Sequence, residues 1–334
     1  PELGAVVINE ILTNPTGGAS DWIELHNTTD QAIDVGGWFV SDDADDLTRY
    51  EIAAGTVIAG NGYLVLREEE TFGNADDPGC RMPFGLSRDG ETLYLHSGDR
   101  GVLTGYSEQE EFDASEGGVS LGRHRKSTGS FNFVAMSVPT PGAANAAPKV
   151  GPIVINEIMY GPTALPEAEY VELLNIGDAP VTLYDGILGA SWRFTDGPAN
   201  PPIECLLPSD KPVTLLPGQC LVLIKDLIRF TVAYGYLSEV PTVAWGAGGL
   251  SDSGEKIELA KPGRADAGGE PTWIRVDRVV YSDGSHPQEY RDGIDPWPVS
   301  AAGKGHSLHR IDPAAYGNDP ANWRAAPPSP GLVD

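Results

Sequence analysis

The sequence predicts an all-β chain built as two tandem β-sandwich domains, the second carrying larger insertions. Three observations point there. Short apolar runs of period 2 alternate with turn signals, the pattern of sandwiches and barrels. Gly (41) and Pro (28) together make up about a fifth of the 334 residues, enough to punctuate many strands yet below the range of low-complexity chains. One set of landmarks also occurs twice, in the same order.

The landmarks justify the elements in turn. VVINEI from Val6 recurs as IVINEI from Ile153, each a β-branched run interrupted by a polar Asn-Glu pair. DWIELHN from Asp21 recurs as EYVELLN from Glu169, alternating as a half-buried strand does. WFVSDD from Trp38 recurs as WRFTDG from Trp192, and GYLVL from Gly62 as QCLVL from Gln219. GLSRDGETLYL from Gly85 recurs as GLSDSGEKIEL from Gly249. Asn61-Gly62 and Asp89-Gly90 supply the positive φ that tight turns need before the strands they precede. SLGR from Ser120 and SLHR from Ser307 follow, then PTPG from Pro139 and PSPG from Pro328. The offset grows from 147 to 189, so loops have lengthened in the second copy while strands held. The implied domains are 1–145 and 153–334, joined by a linker at 146–152 that holds two prolines. The best helix candidate is Leu221 to Tyr236, whose first part reads equally well as a buried strand.

Charge and composition exclude several classes. The net charge is −26, with 24 acidic and 8 basic residues up to Ala147 and 24 and 14 beyond it. Phosphate backbones are bound by Lys and Arg clusters, so nucleic acid is an unfavoured partner. The one basic cluster, Arg123 to Lys126, reads as a charged loop tip. No run approaches the length of a membrane span, so no membrane insertion is expected. The chain begins with Pro1 and shows no signal peptide, and is read as a piece of a longer protein. No H-E-x-x-H helix, nucleophile elbow or phosphate-binding Gly-rich loop is present, and no catalytic residue is assigned.

Candidate sites are few. Asp42, Asp43, Asp45 and Asp46 form an acidic loop whose oxygens are of the kind that hold Ca²⁺, with a solvated loop as the alternative. Asn74, Asp76 and Asp77 are a weaker set of the same kind. Asn9, Glu10 and Glu24, and their counterparts Asn156, Glu157 and Glu172, are either paired carboxylates for acid–base work or buried polar anchors; the anchor reading is preferred. Trp245 and Trp297 fall in loops of the second copy, where an aromatic either stacks on a ligand or covers an enlarged core. Trp22, Trp38 and Trp192 sit on landmarks and read as core, as does Trp323. Cys205 and Cys220 flank a Pro-containing loop and form a candidate disulfide, with two buried thiols as the alternative. His306 and His309 are badly placed for one metal if they lie on a strand.

These landmarks resemble the lamin tail domain. The first copy carries its pattern at Asn9, Glu10, Asp21, Trp22, Glu24, Asn27, Gly37, Trp38, Asp42, Gly55, Thr56, Leu86, Gly90, Ser120, Arg123 and Pro139 to Gly142, departing at Ala54. The second keeps Asn156, Glu157, Glu172, Asn175, Trp192, Leu250, Gly254, Ser307 and Arg310, with Tyr170 in place of the Trp. The resemblance implies an immunoglobulin-like sandwich in each copy and no reaction. Its bacterial members sit in exported, multidomain proteins, which implies an extracellular or cell-surface location. The expected function is therefore a non-catalytic module for adhesion, display or assembly, needing no cofactor and contacting a protein or an extracellular polymer. The alternatives are a carbohydrate- or polymer-binding module beside a hydrolase, or a metal-assisted hydrolase. Oligomeric state is not legible.

Overall fold

A computed structural model describes residues 1–163, 165–197, 201–265 and 269–332. It is nearly all β and divides into two compact units, one of residues 1–125 and 131–149, the other of 126–130 and 150–334. The division at 149/150 falls inside the expected linker. The first half of that linker is already part of the first unit, since Ser137 N donates to Ala147 O and Lys149 N to Ala135 O.

In the first unit, β1 (Val6–Leu12), β2 (Trp22–Asn27), β3 (Phe39–Ser41), β4 (Tyr50–Glu51), β5 (Tyr63–Arg67), β6 (Gly90–Asp99), β7 (Val102–Asp113), β8 (Leu121–Arg125) and β9 (Phe131–Ala135) form two antiparallel sheets. Their orders are β9-β8-β1-β2-β5 and β4-β3-β6-β7. The core between them includes Val6, Ile8, Ile11, Ile23, Leu25, Trp38, Val40, Leu93 and Leu95. Burying each such aliphatic side chain contributes roughly 1.5–3 kcal/mol before chain entropy is counted. Val6 and Ile8 point inward at period 2, but the next inward residue of β1 is Ile11. The β1–β2 register slips between Ile8 and Glu10, so Asn9 is a β-bulge. The bulge turns Glu10 onto the outer face beside Glu24, its cross-strand partner. This is the physical reason for a polar pair inside a β-branched run.

The second unit repeats that arrangement. Its elements are β10 (Ile153–Met159), β11 (Tyr170–Asn175), β12 (Arg193–Thr195), β13 (Glu204–Leu206), β14 (Cys220–Ile224), α1 (Leu227–Tyr234), β15 (Thr242–Ala244), β16 (Gly254–Ala265), β17 (Pro271–Ser282), β18 (Ser307–Arg310) and β19 (Trp323–Ala326). The sheets run β15-β14-β11-β10-β18-β19 and β13-β12-β16-β17, antiparallel throughout except at β14–β15. The bulge recurs at Asn156, and Glu157 lies opposite Glu172.

The outer face of the larger sheet is where the second unit departs from the first. Met159, Tyr170, Val222 and Ile224 are sealed there by Phe230 of α1. β14 is therefore buried on both faces, which explains the unbroken apolar run LVLI. The Leu221 to Tyr236 segment is thus a strand followed by a helix. The break comes at Asp226, whose carboxylate accepts from Arg229 N at 2.8 Å and caps α1. Among the described residues, no helix is long and apolar enough to cross a membrane.

Candidate functional site

The recurring carboxylates form a clasp on the outer face of each larger sheet. In the first unit, Glu10 accepts from Ser120 Oγ (2.5 Å), Thr140 N (3.1 Å) and Thr140 Oγ1 (2.7 Å). Glu24 accepts from Asn9 Nδ2 (2.7 Å) and Gly142 N (2.5 Å). Asn145 completes the cover, accepting from Asn9 Nδ2 at 2.6 Å and donating to Arg123 O at 2.9 Å. Both carboxylates are fully buried. The P-T-P-G segment exists to deliver its backbone N–H groups here, tying the end of the domain to its opening strands. Burial pushes the Glu24 carboxyl up to about 7, against the pull of the Gly142 and Asn9 donors, with Glu10 adding to the rise.

The second clasp uses the same positions with one change of chemistry. Glu157 accepts from Ser307 Oγ (2.5 Å), Ser329 N (3.0 Å) and the Tyr170 hydroxyl. Glu172 accepts from Asn156 Nδ2 and Gly331 N, each at 2.8 Å. Across the strand pair, Glu10 faces Gly122, whereas Glu157 faces His309. A side chain at Gly122 would meet Asn145 and Met136 at 2.9 Å. The second unit instead fills this place with an imidazole, Nε2 lying 3.2 Å from Glu157 and 3.1 Å from Pro327 O. Burial pulls His309 down, but the bond and charge of Glu157 outweigh it and its pKa ends raised. Burial pushes Glu157 up, and the bonds from His309, Ser307 and Tyr170 bring it below its ordinary value.

Other landmarks make matching bonds. Asp21 accepts from Leu86 N (2.9 Å), as Glu169 does from Leu250 N (2.7 Å). Glu91 accepts from Ser87 N, as Glu255 does from Ser251 N, both at 2.7 Å. Asn27 donates to Ile58 O (3.0 Å), as Asn175 does to Leu215 O (2.9 Å). Nearly every polar landmark is thus an internal fastener. Glu10, Glu24, Glu157 and Glu172 each spend hydrogen bonds on the segment that closes their own unit.

The structure corrects two readings. Trp245 and Trp297 are only 7% and 3% exposed and belong to the core of the second unit. Trp297 packs on Trp323 at 6.2 Å between ring centroids and Trp245 on Phe194 at 6.4 Å. The enlarged core needed them as filling. Cys205 and Cys220 are free thiols. Cys205 points into the core between the sheets, while Cys220 points from the far side of its sheet toward Val154 and Leu174. They stand on opposite faces of a layer and do not pair.

The acidic loop carries its own cation. Arg49 lies inside it, donating to Asp42 at 2.8 Å and Asp43 at 2.6 Å. Asp43 and Asp46 also accept backbone N–H groups of Asp45 and Thr48. No three of the loop carboxylates come close enough to share one ion. Because a guanidinium already pairs with two of the four carboxylates, millimolar Ca²⁺ is expected to leave the melting temperature unchanged; a rise would show an ion binding the loop. Arg49→Met should cost about 1 kcal/mol or less in a denaturant melt, as expected of a partly exposed ion pair.

One group escaped the sequence reading. Asp283, His286 and Asp295 bring ligand atoms within 4.8 Å of one another after the end of β17. Asp283 and Asp295 stand twelve positions apart in an irregular excursion with no metal-binding spacing, so only the folded chain reveals it.

No curated protein matches the chain. Among solved structures, it is similar to a DUF4876 family protein from Bacteroides thetaiotaomicron at 10% identity, over 97% of this chain and 96% of that one, with a TM-score of 0.34. The family comparison is local: residues 1–110, from the opening strand into β7, match the model of the Lamin Tail Domain.

Proposed function

We propose that this chain is a non-catalytic interaction or structural module of a larger exported protein, made by duplication of one lamin-tail-type sandwich. One observation carries the reading: the carboxylates that recur in both halves are occupied as internal fasteners. Glu10 and Glu24 hold Thr140 and Gly142, and Glu157 and Glu172 hold Ser329 and Gly331. The paired bulges at Asn9 and Asn156 support the duplication. The partner is a protein or an extracellular polymer contacted at a cell surface, and the role itself asks for no cofactor. With Trp245 and Trp297 in the core, a sugar-stacking row loses its main support.

The test separates fastening from chemistry. Glu10→Gln sets an amide N–H against the Thr140 N–H or hydroxyl, leaving buried donors unmatched at about 1–3 kcal/mol each. Glu157→Gln does the same at Ser329 and Tyr170. Both variants should melt earlier and expose the closing segments to protease. The parent chain should show no turnover on a panel of glycans, peptides and esters. Turnover in the parent that either variant abolishes, while keeping the parent's melting temperature, would overturn the reading.

A further inference from the structure

β17 ends at the buried Ser282, and the chain then makes an irregular excursion before Trp297 re-enters the core. The two ends of this excursion are fastened to each other. Asp295 Oδ2 accepts from Ser282 Oγ (2.5 Å) and His286 N (3.1 Å), while Oδ1 accepts from Trp297 N (3.0 Å). Asp283 Oδ1 accepts from Ser285 N (2.9 Å) and lies 3.3 Å from His286 Nδ1. One ligand atom each from Asp283, His286 and Asp295 lies within 4.8 Å of the other two. Ligands on opposite sides of an ion at about 2.0–2.4 Å are themselves about 4–4.8 Å apart, so the three atoms are spaced as the ligands of one ion are. Asp283 Oδ1 and Asp295 Oδ1 each accept one hydrogen bond and keep a lone pair, whereas Asp295 Oδ2 already accepts two.

A second observation is independent of this cluster. Tyr160 is 1% exposed, and its hydroxyl has no hydrogen-bond partner among the described residues. Buried hydroxyls are ordinarily partnered, and one left alone costs stability. The ring packs against Tyr281, two residues before Asp283, with centroids 4.7 Å apart. Burial first, then the fields of Asp283, Asp252 and Asp295, hold the phenol protonated and raise its pKa. The hydroxyl is thus a buried donor without an acceptor in bond range, on a ring stacked against Tyr281 two residues before Asp283.

We propose that Asp283, His286 and Asp295 bind one divalent transition-metal ion, and that the Tyr160 hydroxyl is partnered by a water or ligand in that ion's shell. One imidazole nitrogen beside carboxylate oxygens favours Zn²⁺ over Ca²⁺ and Mg²⁺, which prefer oxygen alone. Asp283 and His286 retain 20% and 30% side-chain exposure, so the ion has an entry path and open coordination positions. The ion staples the excursion after β17 and does not depend on the module reading above.

Tag-free protein stripped with EDTA is titrated with Zn²⁺ by calorimetry and thermal melting, with Ca²⁺ and Mg²⁺ as comparators. One Zn²⁺ per chain is expected, with Kd about 1 µM or tighter, a raised melting temperature, and little effect of the comparators. His286→Gln should weaken binding by about tenfold or more. Tyr160→Phe should leave the metal-free melting temperature unchanged or raised, because it removes an unpaired hydroxyl, and should shrink the gain on adding Zn²⁺. Absence of saturable binding, equal binding by His286→Gln, or a Ca²⁺ effect matching that of Zn²⁺ would overturn the site. A Zn²⁺ gain undiminished in Tyr160→Phe would overturn the part given to Tyr160.

Discussion

Arg310→Met is expected to lower the stability of the second unit by about 3–5 kcal/mol, the range for breaking a buried ion pair from one side. The Arg310 side chain is fully buried. It donates to Asp277 Oδ2 (2.6 Å), Ile155 O (3.1 Å) and Ala315 O (2.6 Å). Asp277 in turn accepts from Ile155 N at 2.9 Å, so the pair pins the edge of the β10 bulge to β17. Methionine matches much of the arginine stem but leaves the Asp277 charge buried alone. If that charge is the source of the loss, adding Asp277→Asn to Arg310→Met should recover part of it, because asparagine still offers an acceptor to Ile155 N. A double variant less stable than Arg310→Met in a denaturant melt would refute this account. The matching residue of the first unit, Arg123, makes a sharp comparison. It is 19% exposed, pairs with Glu108 at 3.2 Å and lies over the Phe131 ring at 4.5 Å. Arg123→Met should therefore cost only about 1 kcal/mol.

The second large effect is a stability maximum on the acid side of neutrality. Burial pushes Asp21 up to about 6, and Glu24, Glu91 and Glu110 each up to about 7. These folded values lie above the unfolded ones, so between about pH 4 and 7 the folded unit holds protons that the unfolded chain has released. Stability must then fall as pH rises through that window and level off above it. Glu24, which is fully buried, rises from 4.5 to about 7, equivalent to about 3 kcal/mol at 1.36 kcal/mol per pH unit. The melting temperature should be higher at pH 5.5 than at pH 8, and Glu24→Gln should flatten the slope. A rise from pH 5.5 to 8 would contradict it. The His309–Glu157 pair has its own window. Its contribution is complete between the unfolded values of the two groups, 4.5 and 6.5. It is lost as pH rises through the raised His309 pKa, or falls through the depressed Glu157 pKa.

The strands were legible because their signals are local. The period-2 runs of β1, β2, β10 and β11 mark a core-facing side each, and Asn61-Gly62 and Asp89-Gly90 mark where β5 and β6 begin. The anchoring role of Glu10 and Glu24 was also within reach, since both recur with the same neighbours. What closes over them was not: the Thr140 and Gly142 donors are backbone groups more than a hundred positions away. The loop tryptophans misled because composition does not say how much interior an insertion must fill. The cysteines misled because sequence proximity ignores which side of a layer a strand residue faces. In the acidic loop, Arg49 follows three positions after Asp46, and its pairing with Asp42 and Asp43 depended on a turn no periodicity encodes. The two S-L-x-R landmarks look alike, yet one arginine is sealed and the other open, a difference made by the insertions around them.

The clasps also govern how such a body can be used and made. Because Thr140 and Gly142 are bolted to the opening strands of the first unit, the polypeptide enters and leaves that unit at neighbouring points. A body of this kind can be spliced into a surface turn of a host without prising the host apart. On the ribosome it stays unlatched until residue 142 emerges, so a nascent chain interrupted earlier would carry two bare buried-type carboxylates and an open sheet to the quality-control machinery.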